Sequence, residues 1–363
     1  MPVVMDRGRI PIRLAEEKSI CPVGSFDASG LEIALINNMP DAALEDTELQ
    51  FFELLDAAAC DLPVHLRLYS LPKISRSARG MEHLGSFYFG IDDLLSRQFD
   101  GVIMTGTEPH QPDLREEPYW DALGDVLDWA EEHTVSTVLS CLAAHAGVLY
   151  SDGIARHRLE DKRFGVFDDR KVLDHPLASG TAERMPFPHS RWNEVREEEL
   201  TSCGYTVVTK SAEAGVNLFV REKRKSLFVH FQGHPEYGAR TLLKEYRRDV
   251  RRFLKGERET YPSLPQGYFD DSATKLMTEF REHALSQRSE DLMEVFPESV
   301  VAEAQESAWH SSATRVYRNW LEYLVAGKAD SSTLVRMARI GQKAASSRHA
   351  TEQSLRFRST NTR

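Results

Sequence analysis

The sequence has no apolar run approaching the ~18 residues that a membrane-spanning helix requires, which argues against a membrane protein. Its first residues, MPVVMDRGRIPIRLAEEKS, carry charges throughout and no long apolar core, so no secretory signal is expected here. An excess of positive charge is missing as well. Forty-five Lys and Arg face 56 Asp and Glu, a net charge of −11, and the isoelectric point is near 5.7. That balance argues against a nucleic-acid binder built on basic surface. Cysteine is scarce. Cys21, Cys60, Cys141 and Cys203 are widely spaced and fit no zinc pattern, so no metal is expected. In a chain of this size they read as reduced thiols of a cytoplasmic protein. There is no internal repeat.

What is present is ordinary for a globular protein: 41% hydrophobic and 28% charged residues over 363 positions. The length allows one large domain with additions, or two domains. "LEIALINNM" reads as a buried strand, "DAALEDTELQFFELLDAAA" has helical spacing, and "VHLRLYSL" alternates as a strand; together they predict a βαβ unit. "FDGVIMTG", "YWDALGDVLDWAEEH", "STVLSC" and "LAAHAGVLYSDG" continue the alternation, the last helix closing at Gly153. The pattern predicts an α/β fold, a parallel sheet covered by helices on both faces. "GYTVVTKS", "VNLFVRE" and "SLFVHFQG" suggest antiparallel strands returning to that sheet. The expected organisation is an irregular arm over 1–30, the α/β domain over 31–256, a helical extension over 257–328, and a polar, disordered tail over 329–363.

In open parallel sheets, sites form at the carboxyl ends of strands. Three segments end strands with reactive or permissive residues: Thr105–Pro109, Ser140–Ala144 and Phe231–Tyr237. Cys141 falls where strand gives way to helix. It is either a small buried hydrophobe or a nucleophile whose thiolate the helix N-terminus favours. "GHPE" supplies His234 with Glu236 two residues on, which is either a solvated turn or a base with its orienting partner. Taken together the residues favour a Cys141–His234–Glu236 triad. The backbone N–H groups of Gly106, Thr107 and Leu142 are candidate donors for an oxyanion. His110, His145 and His189 read individually as structural or solvated, and Arg247, Arg248, Arg251 and Arg252 mostly as a solvated helix face.

A strand-end Cys followed by "HPE" resembles the class I glutamine amidotransferase-like superfamily. The segments "ALINNMPDAALEDTELQFFELL", "DKRFGVF", "PHSRWNEV", "GHPEYGARTLLKEYRRDV" and "WHSSATRVYRNWLEYLV" narrow it. Over about residues 9 to 325 the chain resembles the homoserine O-acyltransferases of methionine biosynthesis, of the homoserine O-succinyltransferase type. The resemblance implies a flavodoxin-like parallel sheet and a homodimer. It implies acyl-CoA and L-homoserine as substrates, no bound cofactor, and ping-pong transfer through a thioester on Cys141. Lys162, Ser190 and Arg248 match substrate-binding positions of that family.

The chain also departs from the pattern. The segment after the "TG" strand reads "GTEPHQPD", with Pro109 displaced by one. The position that separates acetyl from succinyl donors falls at about His110. A histidine there could pair with a succinyl carboxylate, which leans the expectation to succinyl-CoA. Leu142 and His145 stand where Trp and Gln are common. The competing readings are an amidotransferase-like amidase with the same triad, which the "SCLAAH" turn disfavours, and a binding protein on a decayed scaffold.

Overall fold

A computed structural model describes residues 2–18, 30–298 and 309–329; the expected polar tail lies outside them apart from position 329. The segment read as an irregular arm carries two regular elements, β1 (Val3–Val4) and α1 (Ile12–Glu17). The predicted unit follows as β2 (Leu31–Ile36), α2 (Asp41–Ala59) and β3 (Val64–Tyr69). β1 pairs in parallel with β3, Val3 opposite Val64. A two-residue strand has no period to read, and only its partner makes it one.

The chain continues through α3 (Ala78–Phe87), α4 (Ile91–Leu95), β4 (Phe99–Met104), α5 (Trp120–His133), β5 (Thr134–Ser140) and α6 (Leu142–Asp152). Gly153 ends α6 at φ 70°, the left-handed cap that glycine adopts without penalty. Next come β6 (His157–Lys171), β7 (Arg184–Glu194), α7 (Glu197–Ser202), β8 (Thr206–Val207), β9 (Thr209–Ser211), β10 (Gly215–Val216), β11 (Leu218–Lys223) and β12 (Ser226–Phe231). Helices α8 (Thr241–Leu254), α9 (Asp271–Ser286) and α10 (310–329) complete the described chain.

The main sheet has the order β1-β3-β2-β4-β5-β12-β11-β8. From β1 to β12 every neighbouring pair is parallel. β12 therefore corrects the expectation of an antiparallel addition: it runs beside β5, Phe231 opposite Ser140. Only β11 runs against the rest, antiparallel to both of its neighbours, β12 and β8. Side chains of a strand alternate between faces, and here both faces are covered. Leu31, Ile33 and Leu35 of β2 enter one core with Phe51 and Phe52 of α2. Ala34 and Ile36 enter the other, with Val126 of α5 and Ala146 of α6. This two-sided burial explains why β2 reads as a continuous apolar run.

The long β6–β7 hairpin, with β9 and β10, forms a separate four-stranded antiparallel sheet. It brings Lys162 and Ser190 toward the main sheet's carboxyl edge. α10 packs on the main sheet: Val316, Trp320 and Leu324 join the α2-side core, and the Trp320 indole donates to Ser136 Oγ at 2.9 Å. Among the described residues no helix is long and apolar enough to cross a membrane.

Candidate active site

β5 ends at Ser140 and α6 begins at Leu142, so Cys141 alone must turn the chain. It does so at φ 51°, ψ −110°, a left-handed conformation that a side chain rarely adopts and that costs roughly 1–3 kcal/mol. The turn is pinned from both sides. The Cys141 N–H donates to Phe231 O at 2.7 Å, and the Cys141 carbonyl accepts from Ala144 and His145 N–H. The result is a partly exposed thiol at the head of a helix, not a sealed core cysteine. Gly106, at the end of β4, faces this turn. A Cβ there would come within 2.6 Å of Leu142 Cβ and 3.0 Å of the Leu142 amide nitrogen, so glycine is what lets the two loops approach.

β12 delivers the second group. Its end is held by Gly233 N–H donating to Asn217 Oδ1 at 2.8 Å and by His234 N–H donating to Pro188 O at 2.8 Å. His234 Nδ1 and Glu236 Oε1 are 2.8 Å apart, both side chains nearly enclosed. Ser140 Oγ also reaches Glu236 Oε1 at 3.4 Å. Burial by itself disfavours a charged ring. The Cys141 sulfur and the Glu236 carboxylate outweigh it and hold His234 well above the ordinary histidine value. These two neighbours favour the charged form of the ring, the counter-charge that a thiolate needs.

Cys141, His234 and Glu236 line one cavity of about 350 Å3, together with Gly106, Thr107, Leu142, Lys162, Ser190 and Arg248. Nine of the ten sequence-derived candidates thus meet in one place. The tenth, His110, lines a neighbouring cavity of about 610 Å3 that shares Thr107 and Glu108 with the first. The other two histidines are structural. His145 pairs with Gln232 Oε1 at 2.9 Å, and burial, reinforced by Arg191, pushes its pKa down to about 3. His189 is fully enclosed and held well below the ordinary value by burial, Arg191 and His234.

Residue-by-residue reading missed the centre of the polar wall. Glu245 of α8 accepts from Ser190 Oγ at 2.5 Å and Tyr237 OH at 2.6 Å, and lies 3.3 Å from Lys162 Nζ. Burial favours its neutral form, but Lys162, Ser190, Tyr237 and Arg248 prevail and keep it ionised. Asp249, one turn on, pairs with Arg248 Nε at 2.9 Å. Arg252, taken with its neighbours for a solvated face, also lines the cavity. The available signal was Glu245 and Asp249 at i, i+4 on an otherwise basic helix, beside the apolar positions Leu242, Tyr246 and Val250. No group of three or more acidic, His or Cys side chains able to hold a metal occurs among the described residues.

Fold and site together define an α/β protein with a Cys–His–Glu constellation at the carboxyl edge of a parallel sheet. A profile of the homoserine O-succinyltransferase family matches residues 23–331, and the chain belongs to that family. It is 43% identical over 291 residues to a homoserine O-succinyltransferase of Methylorubrum extorquens, covering 80% of this chain and 86% of that protein. It is 42% identical over 300 residues to one from Rhodopseudomonas palustris, covering 83% and 90%. Among solved structures, a glutamine amidotransferase from Methylobacillus flagellatus is similar at a TM-score of 0.47 and 12% identity, covering 83% of this chain and 96% of that one.

Proposed function

We propose that this protein is a homoserine O-acyltransferase of methionine biosynthesis, taking its acyl group from acyl-CoA, succinyl-CoA in preference to acetyl-CoA, through a thioester on Cys141. The relatives' names support the reaction class. The observation that carries the mechanism is one cavity holding a thiol, a His–Glu pair and a mixed acidic and basic wall.

The Cys141 thiolate attacks the donor's thioester carbonyl. A new C–S bond forms, and the oxyanion is met by backbone N–H groups of Gly106, Thr107 or Leu142. The old C–S bond breaks, and the leaving thiolate takes the proton from His234. The neutral His234 then accepts the hydroxyl proton of homoserine as its oxygen attacks the thioester. Cys141 leaves as thiolate and the ion pair is restored.

The acceptor is a zwitterion, and the wall suits both ends. Glu245 and Asp249 offer carboxylates to an ammonium, while Arg248 offers a planar fork to a carboxylate. Lys162, 4.0 Å above the Phe164 ring and paired with Glu245, orients that carboxylate, and Ser190 does the same through its hydroxyl. A succinyl tail extending past Thr107 and Glu108 would meet His110 in the adjoining cavity.

Incubation with succinyl-CoA is expected to add one succinyl group, seen by intact mass, to the unsubstituted protein and none to Cys141→Ala. Homoserine is expected to discharge it as O-succinylhomoserine. Glutaminase activity with no adduct from either acyl-CoA would instead establish the amidase reading.

A further inference from the structure

Tyr237 touches both halves of the proposed machinery. Its ring stacks on His234 with centroids 4.1 Å apart and planes 19° from parallel. Its hydroxyl donates to Glu245 Oε1 at 2.6 Å, the carboxylate assigned above to the acceptor's ammonium. Its backbone carbonyl accepts the Trp309 indole N–H at 2.6 Å, so the main chain is anchored independently of the side chain.

The forces on His234 differ between the two half-reactions. In the resting site the Cys141 sulfur and Glu236 favour the ring's charged form, so Coulomb attraction, the Glu236 hydrogen bond and the Tyr237 stack all hold it. Once Cys141 is a thioester and the ring has given up its proton, the attraction to sulfur is gone. Glu236, at Nδ1, and the stacked face of Tyr237 still fix the ring. The ring must then present Nε2 to the incoming hydroxyl, the step in which a misplacement of about 1 Å costs on the order of 100-fold in rate.

We propose that Tyr237 is a positioning residue for the second half-reaction, tying the carboxylate that receives the acceptor's ammonium to the imidazole that takes the acceptor's hydroxyl proton. An amino-acid acceptor thereby orders its own general base, and a nucleophile without an ammonium does not use the tether. This inference rests on the two-step reading above and goes beyond it by naming what couples acceptor binding to base orientation.

Tyr237→Phe keeps the ring and its stack and removes the hydroxyl. In single-turnover experiments with succinyl-CoA followed by intact mass, its acylation rate is expected to stay within about twofold of the unsubstituted protein. Discharge of the isolated acyl-enzyme by homoserine is expected to slow by about 10- to 100-fold, while discharge by hydroxylamine, which carries no ammonium and needs little base, is unchanged. With the unsubstituted protein, 4-hydroxybutanoate, which is homoserine without its ammonium, is expected at saturating concentration to discharge the acyl-enzyme about 10- to 100-fold more slowly than homoserine, which keeps the test open should the variant fold poorly; equal saturating rates would overturn the proposal. A uniform loss across acylation and both discharges would mark Tyr237 as merely structural and overturn the proposal; so would unimpaired discharge by homoserine. Failure of the unsubstituted protein to acylate at all would overturn the two-step reading and this inference with it, a result visible before any variant is made.

Discussion

At the scale of single residues, Cys141 combines a reactive side chain with a backbone conformation that opposes it. Its φ of 51° is imposed by a one-residue turn between β5 and α6. Glycine would relieve roughly 1–3 kcal/mol of strain at such a position. It would also loosen the unfolded chain, at a cost of roughly 0.4–1 kcal/mol. The strain term is the larger, so Cys141→Gly is expected to be about 1 kcal/mol more stable than Cys141→Ala, both lacking the acyl adduct. Parallel urea titrations check this, and equal midpoints would show an unstrained turn. Cys141, His234 and Glu236 were legible because residues of distinctive chemistry stood at strand ends. Glu245 was not: a glutamate on a basic helix reads as solvated until the hairpin carrying Lys162 and Ser190 covers it.

At the scale of elements, β2 to β5 and the helices between them were readable because two-sided burial writes continuous apolar strands and amphipathic helices into the chain. The β6–β7 hairpin was not readable. "HRLEDKRFGVFDDRK" is charged and half exposed, and it becomes strand through ten registered partners on β7. The direction of β12 was equally hidden, since period and composition do not distinguish a strand parallel to β5 from an antiparallel one. The last described helix lies against the sheet where β4 has no side chain. A Cβ on Gly101 would come 2.7 Å from Leu324 and 2.8 Å from the Trp320 ring. Gly101→Ala is therefore expected to destabilise the protein by about 1–3 kcal/mol, with α10 displaced. The measure is the urea midpoint, and an unchanged value would mean that α10 contributes little to the core.

At the scale of the whole molecule, buried titratable groups make stability depend on pH, with opposite signs. His145 has a folded pKa of about 3, lowered by burial and Arg191. Between that value and its unfolded value near 6.5 only the unfolded chain takes the proton, so its contribution is lost as pH falls through this window. Asp169 is enclosed, and burial raises its pKa to about 7 despite hydrogen bonds from Asn217 and Thr209. Between about 4 and about 7 only the folded chain holds that proton, so its contribution is lost as pH rises. Compared with the unsubstituted protein, His145→Gln is expected to lose less stability between pH 7 and pH 5. Asp169→Asn is expected to lose less between pH 5 and pH 8. Urea midpoints at the three pH values test both, and a shared sign would refute the assignment.

The sequence by itself determined the alternation of strand and helix, the strand-end thiol and the paired His234 and Glu236, because burial periodicity and residue chemistry are local properties of a chain. Only tertiary structure decided that the thiol and the imidazole line one cavity, that β12 lies beside β5, and that Glu245 is enclosed by Lys162, Ser190 and Tyr237. Those facts depend on distances between segments up to 96 positions apart, as from Ser140 to Glu236. Packing sets such distances, and no window along the chain contains them.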